Sequence, residues 1–343
     1  MEQRDLNRMF DALAPTQEQE QAVLSRLLQT ERKGRPMRKV KKLTVFAVAA
    51  ALMVISCAAA VVTGTDQRLL DYFGAKSEED VELVAPAAVA VDQSHTYENG
   101  WTVEIRQVLA DRLSLAVLVD VTAPEGTVLN RGSHLTMALS QLNDQGEQLS
   151  GQGVMTGRVT GIEDDDPADN RITELWQFRR ALREDSLPFP GSAVKVTPLY
   201  MSEGVGGKRL AQFKDEFWSC TVELPDVDLG TPYEISQPLS IGEKQFTLSS
   251  VYLSPLGITV SLADGPDKLW SEEAEMIWPD WEDNFLINMA DGTQLAAAEP
   301  PAQRVSRNDQ GGYTGNCTFL FDQILNPEEI VSVTLFGQTY ELN

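Results

Sequence analysis

Apolar positions change their spacing along this chain, and each spacing predicts a different element. Leu6, Met9, Phe10 and Leu13 fall at i, i+3, i+4 and i+7, one stripe of a helix that stops near Pro15. Thr16 with Gln19 three residues on has the form of a capping box, and Val23, Leu24, Leu27 and Leu28 make a second stripe. From Leu43 to Val62 the periodicity gives way to twenty residues without a charge. As a helix that run covers about 30 Å, the thickness of a bilayer's hydrocarbon core. A transmembrane helix is therefore expected over 43–64. Beyond it Asp66 can cap a short helix with Leu69, Leu70 and Phe73 on one face and Gly74 at its end. Residues 75–88, with Glu78, Glu79, Asp80 and Pro86, read as a solvated connection within a juxtamembrane segment, 65–92.

From about residue 93 the period drops to two. Val103, Ile105, Leu113, Leu115, Val117 and Val119 alternate with polar or small residues, with a turn near Ala110 to Arg112 and a hairpin signal at Asn99-Gly100. The pattern then repeats. VEIRQVLADRLSLAV from Val103 lies over FTLSSVYLSPLGITV from Phe246 without a gap, pairing Val103 with Phe246, Ile105 with Leu248, Val108 with Val251, Leu113 with Leu256, Leu115 with Ile258 and Val117 with Val260. All six pairs share one offset of 143 residues, the mark of an internal duplication. SCTVELPD from Ser219 also resembles NCTFLFDQ from Asn316, which makes Cys220 and Cys317 equivalent. The fold class expected is mainly β: two tandem immunoglobulin-like β-sandwich domains, 93–229 and 230–343, joined near Gly230-Thr231-Pro232. The first is longer, mostly between about Gly151 and Gln212. Equivalent positions in tandem sandwiches lie too far apart to bridge, so Cys220 and Cys317 are expected as separate buried thiols.

Charge orients the whole. Arg32, Lys33, Arg35, Arg38, Lys39, Lys41 and Lys42 precede the apolar run, whereas the first charge after it is Asp66. The positive-inside bias then puts 1–42 in the cytoplasm and the β domains outside the cell. Residues 1–42 carry ten Lys and Arg against six Asp and Glu; with −23 for the whole chain, the part beyond the run holds −27. A surface so acidic repels a phosphate backbone, which excludes direct nucleic-acid binding by that part. Val54-Ile55-Ser56-Cys57 also has the form of a lipoprotein cleavage box, so a start at Met37 with a lipid-modified Cys57 stays an alternative to the span.

Candidate chemistry is sparse. His95 and His134 have no second His or Cys at metal-ligand spacing, and no P-loop, dinucleotide, G-x-S-x-G or H-E-x-x-H motif occurs. The run Glu163, Asp164, Asp165, Asp166 lacks the spacing of a calcium loop and reads as a polar loop. Trp270, Trp278 and Trp281 beside six carboxylates could form a sugar platform, or cover a sandwich edge. No catalytic, cofactor-binding or metal-binding residue is assigned, no cofactor is expected, and the chain is read as a non-enzyme. The two helices before the span are too short to bury their own stripes, so they fold together, lie on lipid or dock on a cytoplasmic protein. Leu6, Phe10, Leu24 and Leu28 are the partner-binding candidates.

The layout also resembles a known family. Pro15-Thr16 in the helical segment, the basic stop, the Ala-rich span, DQRLLDYFGA from Asp66 and GWTVEIRQVLADRLSLAVLVDVTAPEGT from Gly100 are similar to single-pass proteins of Gram-positive bacteria identified as negative effectors of extracytoplasmic-function sigma factors. The resemblance implies an anti-sigma factor: a sigma factor as cytoplasmic partner, a sensing ectodomain with an unknown ligand, and no catalytic residues. Two departures stand out, the very short cytoplasmic part and the lack of a zinc-binding His and Cys set. The alternative is a cell-surface adhesion or wall-carbohydrate-binding protein with a simple anchor.

Overall fold

Alternation at a period of two places every second side chain on one face, and in this chain those faces close on each other as antiparallel sheets. The computed structural model describes residues 65–75, 77–112, 114–143, 145–149, 154–162, 166, 168–181, 188–204, 207–213, 218–241, 244–265, 284–296, 302–307 and 313–342. The segment 1–42, the apolar run 43–62, Leu113 and the cluster from Trp270 to Trp281 lie outside the described residues. No helix among the described residues is long and apolar enough to cross a membrane.

Helices α1 (Gln67–Tyr72) and α2 (Glu78–Val84) come first, then a 3-10 turn, Ala85–Ala87. The first β unit holds β1 (Ala88–Thr96), β2 (Thr102–Ala110), β3 (Ser114–Thr122), β4 (Ser133–Leu142), β5 (Val154–Gly161), β6 (Arg171–Ala181), β7 (Ala193–Glu203), β8 (Arg209–Gln212) and β9 (Cys220–Glu223). One sheet runs β1-β2-β3-β6-β5, and in the other β7 is paired to β4, β8 and β9. The second unit holds β10 (Thr231–Ile241), β11 (Lys244–Ser254), β12 (Gly257–Gly265), β13 (Phe285–Met289), β14 (Gln294–Ala296), β15 (Ala302–Arg307), β16 (Tyr313–Leu320), β17 (Ile330–Leu335) and β18 (Gln338–Glu341). Its sheets run β10-β11-β12-β16-β15 and β14-β13-β17-β18. In each unit the two sheets share one core. Val103, Ile105, Val117, Val194, Val196 and Cys220 belong to the first, and Phe246, Leu248, Val260, Phe285, Val333 and Cys317 to the second.

The duplication is written into the strand register. Ile105 faces Val119 and Val108 faces Val117, with a bulge between Ile105 and Gln107. Leu248 faces Leu262 and Val251 faces Val260, with a bulge between Leu248 and Ser250, which is the same place in the repeat. The preceding edge strands agree as well. β1 is bulged between Ala90 and Gln93 and β10 between Glu234 and Gln237, and each bulge holds a non-glycine residue with positive φ, Asp92 at 45° and Ser236 at 51°. Only a surrounding structure that fixes both neighbours keeps such residues there.

Two expectations are corrected. Cys220 and Cys317 are both free and buried, but they are not equivalent: Cys220 on β9 pairs with Val196 of β7 in the smaller sheet, whereas Cys317 on β16 faces Val260 of β12. Because Val260 matches Val117, the counterpart of Cys317 is Trp176, which faces Val117. Both stretches obey the same alternation, and short strands that alternate alike are indistinguishable by pattern. The connection expected over 75–88 contains the helix α2, with a Ser77/Asp80 capping box at its start and Val81 and Val84 buried. Its three acidic residues fill the first turn, where the helix dipole favours negative charge.

Candidate functional site: the seat of the first helix

Between the two β units and the start of the described chain lies a third apolar cluster. Leu69, Leu70 and Phe73 of α1 and Val81 and Val84 of α2 pack with Leu109, Ala116, Leu118 and Leu175, on the outer face of the first unit's five-stranded sheet. Leu256 and Ile324 of the second unit complete it. Each of the Leu, Val, Ile and Phe side chains in this cluster stabilises by about 1.5–3 kcal/mol when removed from water. The second unit presents Tyr252, Thr259, Ser261 and Asn316 where the first has Leu109, Ala116, Leu118 and Leu175, so at these matched positions the first unit's outer face is the more apolar one for the helices to cover.

Polar groups fix the helix in this seat. Asp66 caps α1 by accepting from Arg68 N at 2.9 Å, and its own N–H donates to Gln107 Oε1 at 2.7 Å. Arg68 donates to Asp120 Oδ1 at 2.7 Å, to Thr173 Oγ1 at 3.0 Å and back to Asp66 Oδ2 at 3.0 Å. Burial raises the Asp66 carboxyl, but hydrogen bonds from the Arg68 side chain and backbone, with its charge, outweigh that and hold the group below its ordinary value. Burial likewise lowers Arg68, and the bonds and charges of Asp66 and Asp120 overturn this and raise it. Tyr72 donates to Gln177 Oε1 at 2.9 Å, closing the far end. The helix terminates in a Schellman turn, Ala75 N to Leu70 O at 3.0 Å, with Gly74 at φ 63°. Phe73 O then accepts from Ile324 N at 2.9 Å, a main-chain bond from α1 to the second unit.

The two units are themselves locked around this seat. Ser254 donates to Asp111, and the two are the same position in the repeat, 143 residues apart. Thr318 Oγ1 donates to Arg180 O at 2.9 Å, so β6 and the outer face of β16 meet. In the linker, Tyr252 donates to Asp228, and Arg112 lies 5.6 Å from the Tyr252 ring centre. Gly230 passes so close to this ring that a Cβ there would fall 2.2 Å from it.

A second polar constellation sits inside the first unit. Glu174 is fully buried, accepts from Leu135 N at 2.9 Å, and its other oxygen is 2.9 Å from His134 Nδ1. His95 is elsewhere, stacked 5.7 Å from Trp218 and edge-on to Tyr97. Asp166 accepts from Ala168 N in a tight turn, while Glu163, Asp164 and Asp165 lie outside the described residues, as do Leu6, Phe10, Leu24 and Leu28. No group of three His, Cys, Asp or Glu among the described residues could hold a metal ion. Reasoning from sequence missed Gln107, Asp120, Thr173, Glu174 and Gln177, which carry no motif. One signal was present: Leu118 interrupts the alternation, so Leu115 to Val119 is apolar throughout, the pattern of a strand buried on both faces.

A solved structure described as the conserved domain protein from Bacillus anthracis is similar over 72% of this chain and 75% of that one, with a TM-score of 0.46 and 13% identity. No family model matches the chain, and no curated protein matches it.

Proposed function

We propose that the chain is a membrane-anchored, non-enzymatic signalling regulator, a negative effector of a sigma factor. Two immunoglobulin-like β units lie outside the cell, one transmembrane helix covers 43–64, and Leu6, Phe10, Leu24 and Leu28 hold the cytoplasmic partner. One observation carries this reading: the residues that directly follow the apolar run are built into the fold. Asp66 to Phe73 is bonded to Gln107, Asp120, Thr173 and Gln177 of the first unit and to Ile324 of the second. A simple anchor needs no more than a loose tether. A helix gripped by both units makes any ligand that changes their arrangement act on the segment leaving the membrane, which is the coupling a signalling protein requires.

The test has two arms. Protease added to intact protoplasts should remove the β units and leave a fragment of about 60 residues, given the positive-inside bias. With residues 1–42 as bait, a pull-down should recover a sigma factor for the wild type and not for Phe10→Asp. Recovery of no sigma factor by either bait, with the β units found bound to isolated cell wall, would replace this reading by adhesion.

A further inference from the structure

Glu174 occupies β6 between Ile172 and Trp176, on the face turned to the core, yet it is a carboxylate with no exposed surface. Its two oxygens both serve β4, the end strand of the opposite sheet: one meets His134 Nδ1 and the other accepts the Leu135 N–H. That N–H lies on a strand whose ladder partner is β7, so the carboxylate closes the open side of β4 and ties the two sheets together. A recess lined by Asn130, Arg131, Ser133, Ile172 and Thr173 opens beside Glu174, and His134 is itself partly exposed, so the pair has a route to solvent. Few other charges face it. Arg131 stands at the recess; Val119 and Gly161, opposite Glu174 on the neighbouring strands, bring none; Asp120 and Arg68 meet Thr173 on the other face of the sheet.

We propose that Glu174 and His134 form a proton-operated latch between the two sheets of the first unit, tightened when the pair takes up a proton and loosened when it gives one up. With the proton on Glu174 the carboxyl is neutral, one oxygen directed at His134 Nδ1 and the other still accepting from Leu135 N. Without it, a carboxylate charge remains in the core, answered by the Leu135 N–H, His134 and the Trp176 side chain. Burial disfavours that charge and raises the Glu174 carboxyl, against the opposing pull of the Leu135 N–H, His134 and the Trp176 side chain. The sign follows from linkage: the closed state holds the proton more tightly than an opened, hydrated one. Closure is therefore favoured fully below the ordinary glutamate value and weakens as pH rises through the raised one.

Hydrogen exchange of the full chain in detergent, followed by mass spectrometry from about pH 4, near the ordinary glutamate value, up to about pH 8, tests this titration. After correction for intrinsic exchange chemistry, the opening constant of peptides covering Ser133–Leu142 should rise with pH in the wild type, by up to about tenfold for each unit by which closure raises the group. In Glu174→Gln the amide oxygen still accepts from Leu135 N but cannot titrate, so the opening constant should be flat. A flat wild type, or the same slope in Glu174→Gln, overturns the latch. Circular dichroism reports whether that variant folds. If it does not, His134→Asn decides: a slope identical to the wild type overturns the proposal, and a changed one supports it.

Discussion

Single residues in this fold are held by partners that lie far away in sequence, and removing one partner has a readable effect. Arg68 joins the cap of α1 to Asp120 and Thr173 on the sheet. Charge-assisted bonds of this kind contribute about 1.5–3 kcal/mol each when shielded, less at a side chain about a third exposed. Arg68→Ala is expected to lower the stability of the full chain by about 1–2 kcal/mol in urea unfolding. Asp66 has its folded value depressed, so its contribution is complete above the ordinary aspartate range and is lost as pH falls through the depressed value. Asp66→Asn should therefore remove an acid-induced loosening of α1 and leave neutral behaviour with a weaker cap, measured by exchange of the Gln67–Tyr72 amides across an acid series. The cysteines are a separate case. Burial raises both thiols, so neither should react with a thiol reagent in the native chain, and unreduced protein should show no Cys220–Cys317 bridge by mass spectrometry.

Whole elements were legible in the sequence where a pattern was long, and illegible where it was short or shared. The 143-residue duplication rested on matched apolar positions, and the sheets reproduce it down to the bulges beside Gln107 and Ser250. Helix α1 was readable from a cap, an apolar face and a terminal glycine. Helix α2 was not, because Glu78, Glu79 and Asp80 suggest solvent until Ser77 is recognised as their cap. The match of Cys220 to Cys317 failed for the opposite reason: alternation recurs in every strand, and a few residues of it fix no address. The seat itself depends on which outer face is apolar, and that becomes visible only when strands are placed side by side. Leu70→Asp should expel α1, since a carboxylate cannot be buried among Leu109, Leu118 and Leu175 without a partner. Limited proteolysis is expected to cut between 65 and 87 in this variant before it cuts the wild type.

At the scale of the molecule, the two β units and the helices share one framework. Ser254 meets Asp111, Thr318 meets Arg180, and Gly230 lies under Tyr252. Such a framework should unfold in one transition. Gly230→Ala forces a methyl into the Tyr252 ring and is expected to cost about 1–3 kcal/mol of overpacking, with the units then melting in two steps by calorimetry. A single step at unchanged temperature would mean that the linker contributes nothing to the coupling.

The paired bulges of β1 and β10 have an effect beyond the chain itself. Both strands end a five-stranded sheet, and an unbroken strand in that position offers its free N–H and C=O groups to any passing sheet. Asp92 and Ser236 interrupt that row at the same place in each unit, turning the main chain out of line where a visiting strand would have to stay in step. A deletion that restores a straight β1 or β10 would therefore be expected to make that edge adhesive towards a second copy of the chain.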